Sequence, residues 1–199
     1  MRGVGNEKNR CEQATVTRRG RGQCGHTLLE VTIALSVMML AVVVYSQAIT
    51  SGIGSNRGLE QSSRALAAAR AQVEALRIED FADVYALYNS DAADDPGGAG
   101  TAPGSGFAVP GLDPIPGDAD GVAGEILFPE GPVGLGVDGL REDLTTGGFG
   151  LPFDLNGDGL VNGDNVAADY RLLPVCVRLE WRGPSTNESL EVRAWLSAD

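Results

Sequence analysis

Histidine and lysine are nearly missing from this 199-residue chain: the only histidine is His26 and the only lysine is Lys8. Beyond residue 26 the usual general bases and Schiff-base nucleophiles are therefore absent, which argues against an enzyme. The three cysteines, Cys11, Cys24 and Cys176, have no Cys/His spacing suited to zinc, and no glycine-rich phosphate loop occurs. Carboxylates abound, so that nearness of two acids along the chain means little. Positive charge is scarce after the start. Residues 1–25 hold six basic residues and two acidic ones; the remainder keeps nine basic against 25 acidic, a net charge of −16 within a chain total of −12. Such a surface repels nucleic-acid phosphates, so no nucleic-acid partner is expected, and it suits divalent cations or basic partners.

What the chain does have is one long apolar run. From Leu28 to Ile49 it is almost wholly apolar, 22 residues with a single early carboxylate, Glu30. As a helix the run is ~33 Å long, enough for a hydrocarbon core of ~30 Å. It shows no polar face of the kind a soluble helix carries, so the expectation is a single membrane-spanning helix. Arg18, Arg19 and Arg21 just before it predict a cytoplasmic amino-terminal side. The acidic remainder is then expected outside the inner membrane. A carboxylate inside such a run costs a few kcal/mol and calls for a partner or a function.

The stretch Gly25-His26-Thr27-Leu28-Leu29-Glu30, followed by the apolar helix, resembles the processing site of type IV pilins and of the pseudopilins of type II secretion. The resemblance implies that a prepilin peptidase cuts between Gly25 and His26 and that the new terminus, His26, is methylated. It also implies that Glu30, fifth after the glycine, pairs with an N-terminal amine as subunits assemble. His26 departs from the pattern, because the family usually carries Phe or another apolar residue there. The implied partners are other pilin or pseudopilin subunits, the peptidase and the inner membrane. A minor subunit of the pilus-modification type fits best, and Glu30 argues against the minor subunits that lack this acid. Cleavage would remove Cys11 and Cys24 with the basic leader and leave Cys176 without an intramolecular partner.

Along the rest of the chain, Ser51–Gly58 contains three glycines, each weakening a helix by ~1 kcal/mol relative to alanine, and is expected to be a soft point. Helical periodicity returns at Leu59, Leu66, Ala69, Val73 and Leu76 and runs on through Phe81, Val84 and Tyr88. One helix from residue 27 to about 80 follows, membrane half (26–50) first and amphipathic half (51–90) second. Residues 91–124 are rich in Gly, Pro and Asp and read as a low-complexity linker loop. Strands are expected at Glu125–Pro129, within Val133–Leu144, and above all at Arg171–Trp181 and Glu188–Ser197, where apolar and polar residues alternate. The fold class is α+β: a long N-terminal helix packed on a small C-terminal antiparallel sheet over residues 125–199.

One stretch carries metal chemistry. Asp154-Leu-Asn156-Gly-Asp158-Gly159-Leu160-Val-Asn162-Gly-Asp164-Asn165 matches most of a calcium loop. Asp154, Asn156 and Asp158 stand at positions 1, 3 and 5, and Gly159 at position 6 permits the sharp turn. Leu160 offers its carbonyl at position 7, and Asn162 stands at position 9. The loop resembles those of dockerins and EF-hands. Position 12 is Asn165, with the acid one place earlier at Asp164, and no helix flanks the loop clearly. A bare Gly/Asp turn without Ca2+ is the alternative. Two functions remain open: a pilin-like filament subunit, or a membrane-tethered calcium-dependent binding module that keeps its leader and uses residues 154–165 or 91–124.

Overall fold

A computed structural model describes residues 27–134, 137–145 and 147–198. The chain divides between Gln47 and Ala48 into two units, and helix α1, Leu28–Ile78, runs through that division.

In the first unit α1 begins at a side-chain cap: the Glu30 N–H donates to Thr27 Oγ1, three residues back, at 3.3 Å. Every described residue of this unit is exposed, Leu28, Met39 and Leu40 among them. Two hydroxyls within the run bond to the helix itself: Thr32 Oγ1 donates to the Leu29 carbonyl and Ser36 Oγ to that of Thr32, both at 2.8 Å. A polar atom placed in hydrocarbon needs such a bond. The helix is long and apolar enough to cross a membrane.

In the second unit α1 continues as helix across Gly52, Gly54 and Gly58, the expected soft point. Its buried stripe is Ala65, Ala69, Val73 and Leu76. Leu59, read as part of that stripe, is 70% exposed. The small alanines bring the helix backbone close to the sheet, where Val177, Leu179 and Trp181 complete one cluster together with Val109, Leu112 and Ala123. Full burial of a side chain such as Leu179 contributes about 1.5–3 kcal/mol.

The helix ends at Ile78, short of what the periodicity suggests. Asp80 turns the chain: its carboxylate accepts the Ala82 N–H at 3.2 Å and its carbonyl the Asp83 N–H at 2.9 Å. Aspartate competes with the helix in this way. A separate short helix, α2, follows at Val84–Tyr88. It keeps the apolar spacing because Phe81, Val84, Tyr85 and Tyr88 pack around Tyr170, Phe128 and Leu155 in a second cluster. The Tyr170 hydroxyl reaches back to the Phe81 carbonyl at 2.5 Å.

The main sheet is antiparallel, with strands β1 (Gly106–Phe107), β2 (Gly124–Leu127), β5 (Leu172–Arg182) and β6 (Asn187–Ser197) in the order β1-β2-β5-β6. A two-stranded hairpin, β3 (Glu130–Gly134) with β4 (Val137–Leu140), stands apart from it. The fold is therefore α+β. Residues 91–124 do more than link: β1 lies among them, Val109 and Leu112 are buried, and Pro114 bridges to Trp181. Gly111, at φ +83°, allows the Arg64 guanidinium to lie where a Cβ would sit.

Candidate functional site

Gly25 and His26, the expected processing pair, lie outside the described residues, as do Arg18, Arg19 and Arg21. Glu30 sits in the first turn of α1, exposed on its apolar surface. With Val31, Ala34, Leu35 and Met38 it lines a shallow concavity that is almost wholly apolar apart from the carboxylate.

The loop from Asp154 folds as its spacing requires. Asp154 accepts twice, from the Gly157 N–H at 2.6 Å through Oδ1 and from the Gly159 N–H at 2.8 Å through Oδ2. Asn156 Oδ1 takes the Asp158 N–H at 3.1 Å, and Asp158 Oδ1 the Leu160 N–H at 2.7 Å. Further on, Asn162 Oδ1 takes the Asp164 N–H at 2.8 Å. Gly157 and Gly159, at φ +76° and +84°, supply the left-handed positions between these turns. Each of these oxygens has a second lone pair, and the donor set is oxygen only, which fits a hard cation such as calcium and not zinc. Among the described residues, however, no three His, Cys, Asp or Glu side chains stand together in a metal-holding group. A cation at this loop would therefore have to draw on the Asn156 and Asn162 amides and the Leu160 carbonyl.

Asn165, at position 12, is committed elsewhere. Its Oδ1 accepts the Ala167 N–H at 3.1 Å, and its side chain packs against Gly139, where a Cβ would come within 2.7 Å of it. The sequence reading missed two acids that hold the loop. Glu142 is 1% exposed, and its Oε1 accepts the N–H groups of Leu155 at 2.6 Å and Asn156 at 3.1 Å. Asp169 Oδ2 accepts from Asn156 Nδ2 at 3.3 Å. Neither acid stands in the loop pattern, and the only sign of Glu142 was its place in the run Arg141-Glu142-Asp143. Two arginines lie over loop glycines: Arg171 along Gly157, and Arg141, which also pairs with Asp143 at 2.6 Å, along Gly163.

A second acidic group lines a cavity of about 260 Å3 with Tyr85, Ser90, Asp91, Glu130, Val137 and Asp138. Burial, with Asp138, Asp94 and Asp91 nearby, raises the Glu130 carboxyl above its ordinary value of 4.5, although the Tyr85 hydroxyl bond acts the other way. Burial also pushes the Tyr85 hydroxyl up, and the Glu130 charge adds to it. Cys176 is buried within β5, its thiol pushed up chiefly by burial. No protein-family model, no characterised protein and no solved structure matches this chain.

Proposed function

We propose that the chain is a non-enzymatic minor subunit of a type IV pilus or type II secretion filament. In this reading a prepilin peptidase cuts between Gly25 and His26, His26 is methylated, and residues 28–49 of α1 first anchor the subunit in the inner membrane and then pack it into the filament. The observation that carries the proposal is the start of α1: a Thr27 cap, Glu30 in the first turn, and an apolar surface left exposed from Leu28 to Ile49. A carboxylate within an apolar run is costly, and pairing with an amine offsets that cost. Cutting at Gly25–His26 creates such an amine four residues before Glu30. The α+β head behind the helix is the part that would face outward.

The loop is proposed to hold calcium through Asp154, Asn156, Asp158, the Leu160 carbonyl, Asn162 and Asp164. The ion would supply cross-linking of an exposed turn, not chemistry. The ordered Asx turns of this loop also support the second reading, a membrane-anchored calcium-dependent binding module that never polymerises. Processing separates the two. In cells with the peptidase, Gly25→Val should leave the full-length form in the membrane, while the unaltered chain gives a shorter form that begins with methylated His26 by intact mass. Trimming of Gly25→Val to the mature size would remove the filament reading.

A further inference from the structure

Asparagine is followed by glycine twice in this chain, at Asn156-Gly157 and Asn162-Gly163, both in the loop from Asp154. In such a pair the glycine nitrogen can reach the asparagine Cγ, because no Cβ stands in the way. The fold treats the two pairs differently. The Gly157 N–H is held by the Asp154 carboxylate at 2.6 Å. Asn156 is held at both ends of its amide: Oδ1 takes the Asp158 N–H at 3.1 Å, and Nδ2 donates to Asp169 Oδ2 at 3.3 Å. Arg171 also runs past Gly157, with Cδ nearest, 3.4 Å from where a Cβ would sit. At the second pair only Asn162 Oδ1 is engaged, by the Asp164 N–H at 2.8 Å. Among the described residues neither the Gly163 N–H nor Asn162 Nδ2 has an acceptor. Gly163 is exposed and Asn162 half-exposed. The nearest side chain across from Gly163 is a cation. Arg141 Nη2 lies 2.7 Å from where a Cβ would sit, and the Asp143 carboxylate, paired with that arginine, lies at 3.3 Å.

The geometry points to Asn162 as a site of spontaneous deamidation in the folded protein, with Asn156 protected. In this step the Gly163 nitrogen bonds to Asn162 Cγ and its proton passes to hydroxide. Nδ2 takes a proton from water and leaves as ammonia. The five-membered succinimide that results takes up one water at either carbonyl and opens to aspartate or to isoaspartate. The net change converts an amide and water into a carboxylate and ammonium. At Asn162 the attacking nitrogen has no hydrogen bond to give up, and the Arg141 guanidinium favours the negative charge that builds on it. At Asn156 the bond from the Gly157 N–H to the Asp154 carboxylate has to break first. A hydrogen bond to a charged group is strong enough to slow the attack by about tenfold or more. Either product adds a negative charge at residue 162. Isoaspartate also routes the main chain through the former side chain, one methylene longer, and so breaks the turn in which Asn162 takes the Asp164 N–H. The loop thus changes charge slowly and in one direction as the protein ages, with no need of a bound ion.

The test is incubation of the full chain in detergent micelles at neutral pH with chelator, which keeps the outcome apart from the calcium reading. Tandem mass spectrometry of the tryptic peptide Glu142–Arg171 assigns the mass gain to Asn162 or to Asn156, and chromatography separates the aspartate and isoaspartate forms. In the folded chain Asn162 should convert faster than Asn156 by about tenfold or more. In denaturant, where these bonds are gone, the two should convert within a few-fold of each other. Asp154→Ala frees the Gly157 N–H and should speed Asn156 by about tenfold while Asn162 keeps its rate. If that variant melts far below the unaltered chain, the folded and denatured forms of the unaltered chain decide the matter. Equal conversion of the two asparagines in the folded chain, or faster conversion of Asn156, would overturn the proposal. So would a preference for Asn162 that persists unchanged in denaturant, or an Asn162 that stays intact when folded while the denatured chain converts.

Discussion

Glu142 is the acid on which the loop at 154–165 depends, and its replacement gives a graded test. Its carboxylate is buried and takes two main-chain N–H groups, one of them from the fully buried Leu155. Glu142→Ala leaves the Leu155 N–H without an acceptor where water does not reach. The half-exposed Asn156 N–H can recover a partner in solvent. Hydrogen bonds to a charged group contribute about 1.5–3 kcal/mol each, and an orphaned buried donor costs about 1–3 kcal/mol. With the second bond partly replaced by water, the net loss is about 3 kcal/mol. In a domain of this size ~1 kcal/mol moves the melting temperature by ~2–4 °C, so a fall of about 6–12 °C is expected. Glu142→Gln keeps an oxygen acceptor of the same reach and loses only the charge; about 2–4 °C is expected. The assay is thermal unfolding of the full chain in detergent by circular dichroism, with calcium and with chelator. The alanine variant should also lose the calcium response, because residues 155–156 no longer hold Asp154 in place. Equal melting of the alanine and glutamine variants, or an alanine variant within 2 °C of the unaltered chain, would refute the reasoning.

If residues 154–165 hold calcium as proposed, Ca2+ should raise the melting temperature by an amount worth ~2.7 kcal/mol at a hundredfold excess over Kd, and an Asp154→Ala, Asp158→Ala chain should melt alike with calcium and with chelator. Glu130 titrates with the opposite sign to a salt-bridged acid: its folded carboxyl lies above the unfolded value, raised first by burial. Its contribution is therefore fully present below the unfolded value of about 4.5 and is lost as pH rises through the folded one. Glu130→Gln should gain stability relative to the unaltered chain at pH 7 and show no such gain at pH 4, as read by denaturant unfolding at both. Glu30→Leu removes the cost of a carboxylate in the apolar run, so membrane level and cleavage should be normal while co-purification with the filament is lost; unchanged co-purification counts against Glu30 as an assembly residue.

Much of the fold is visible in local pattern, because each long element repeats its own signal many times. The apolar run and the alanine-rich stripe extend over dozens of residues. Buried or half-buried side chains alternate with exposed ones along β6 from Leu190 and along the end of β5, although Leu173 to Val177 are buried throughout. What stays hidden depends on one residue or on distant partners. Asp80 ends α1 by a side-chain turn, yet the apolar spacing continues, since α2 packs against Tyr170, far along the chain. Residues 91–124 look too polar to order themselves. They are held from outside: Val109 and Leu112 fill the space between α1 and β5, and Pro114 bridges to Trp181. The strand β3 is obscured by Pro132, which a two-stranded hairpin tolerates because that sheet has no central strand.

The loop shows the same division more sharply. Positions 1, 3 and 5 are legible because their side-chain oxygens bond to main-chain N–H groups two to five residues away, and position 6 because Gly159 takes a left-handed φ, so spacing alone decides the turn. Glu142 and Asp169 act across thirteen or fourteen residues, and in a chain with 27 acidic residues no spacing rule singles them out. Asn165 looks like a weakened ligand when it is counted along the loop. Its place against Gly139 and its bond to the Ala167 N–H make it instead the residue that fastens the loop's far end to β4 and to the turn leading into β5. The loop thus lacks a bidentate acid because that position serves the fold. A cation held there as proposed would keep part of its water shell, and its affinity would fall below that of a loop closed by a bidentate glutamate.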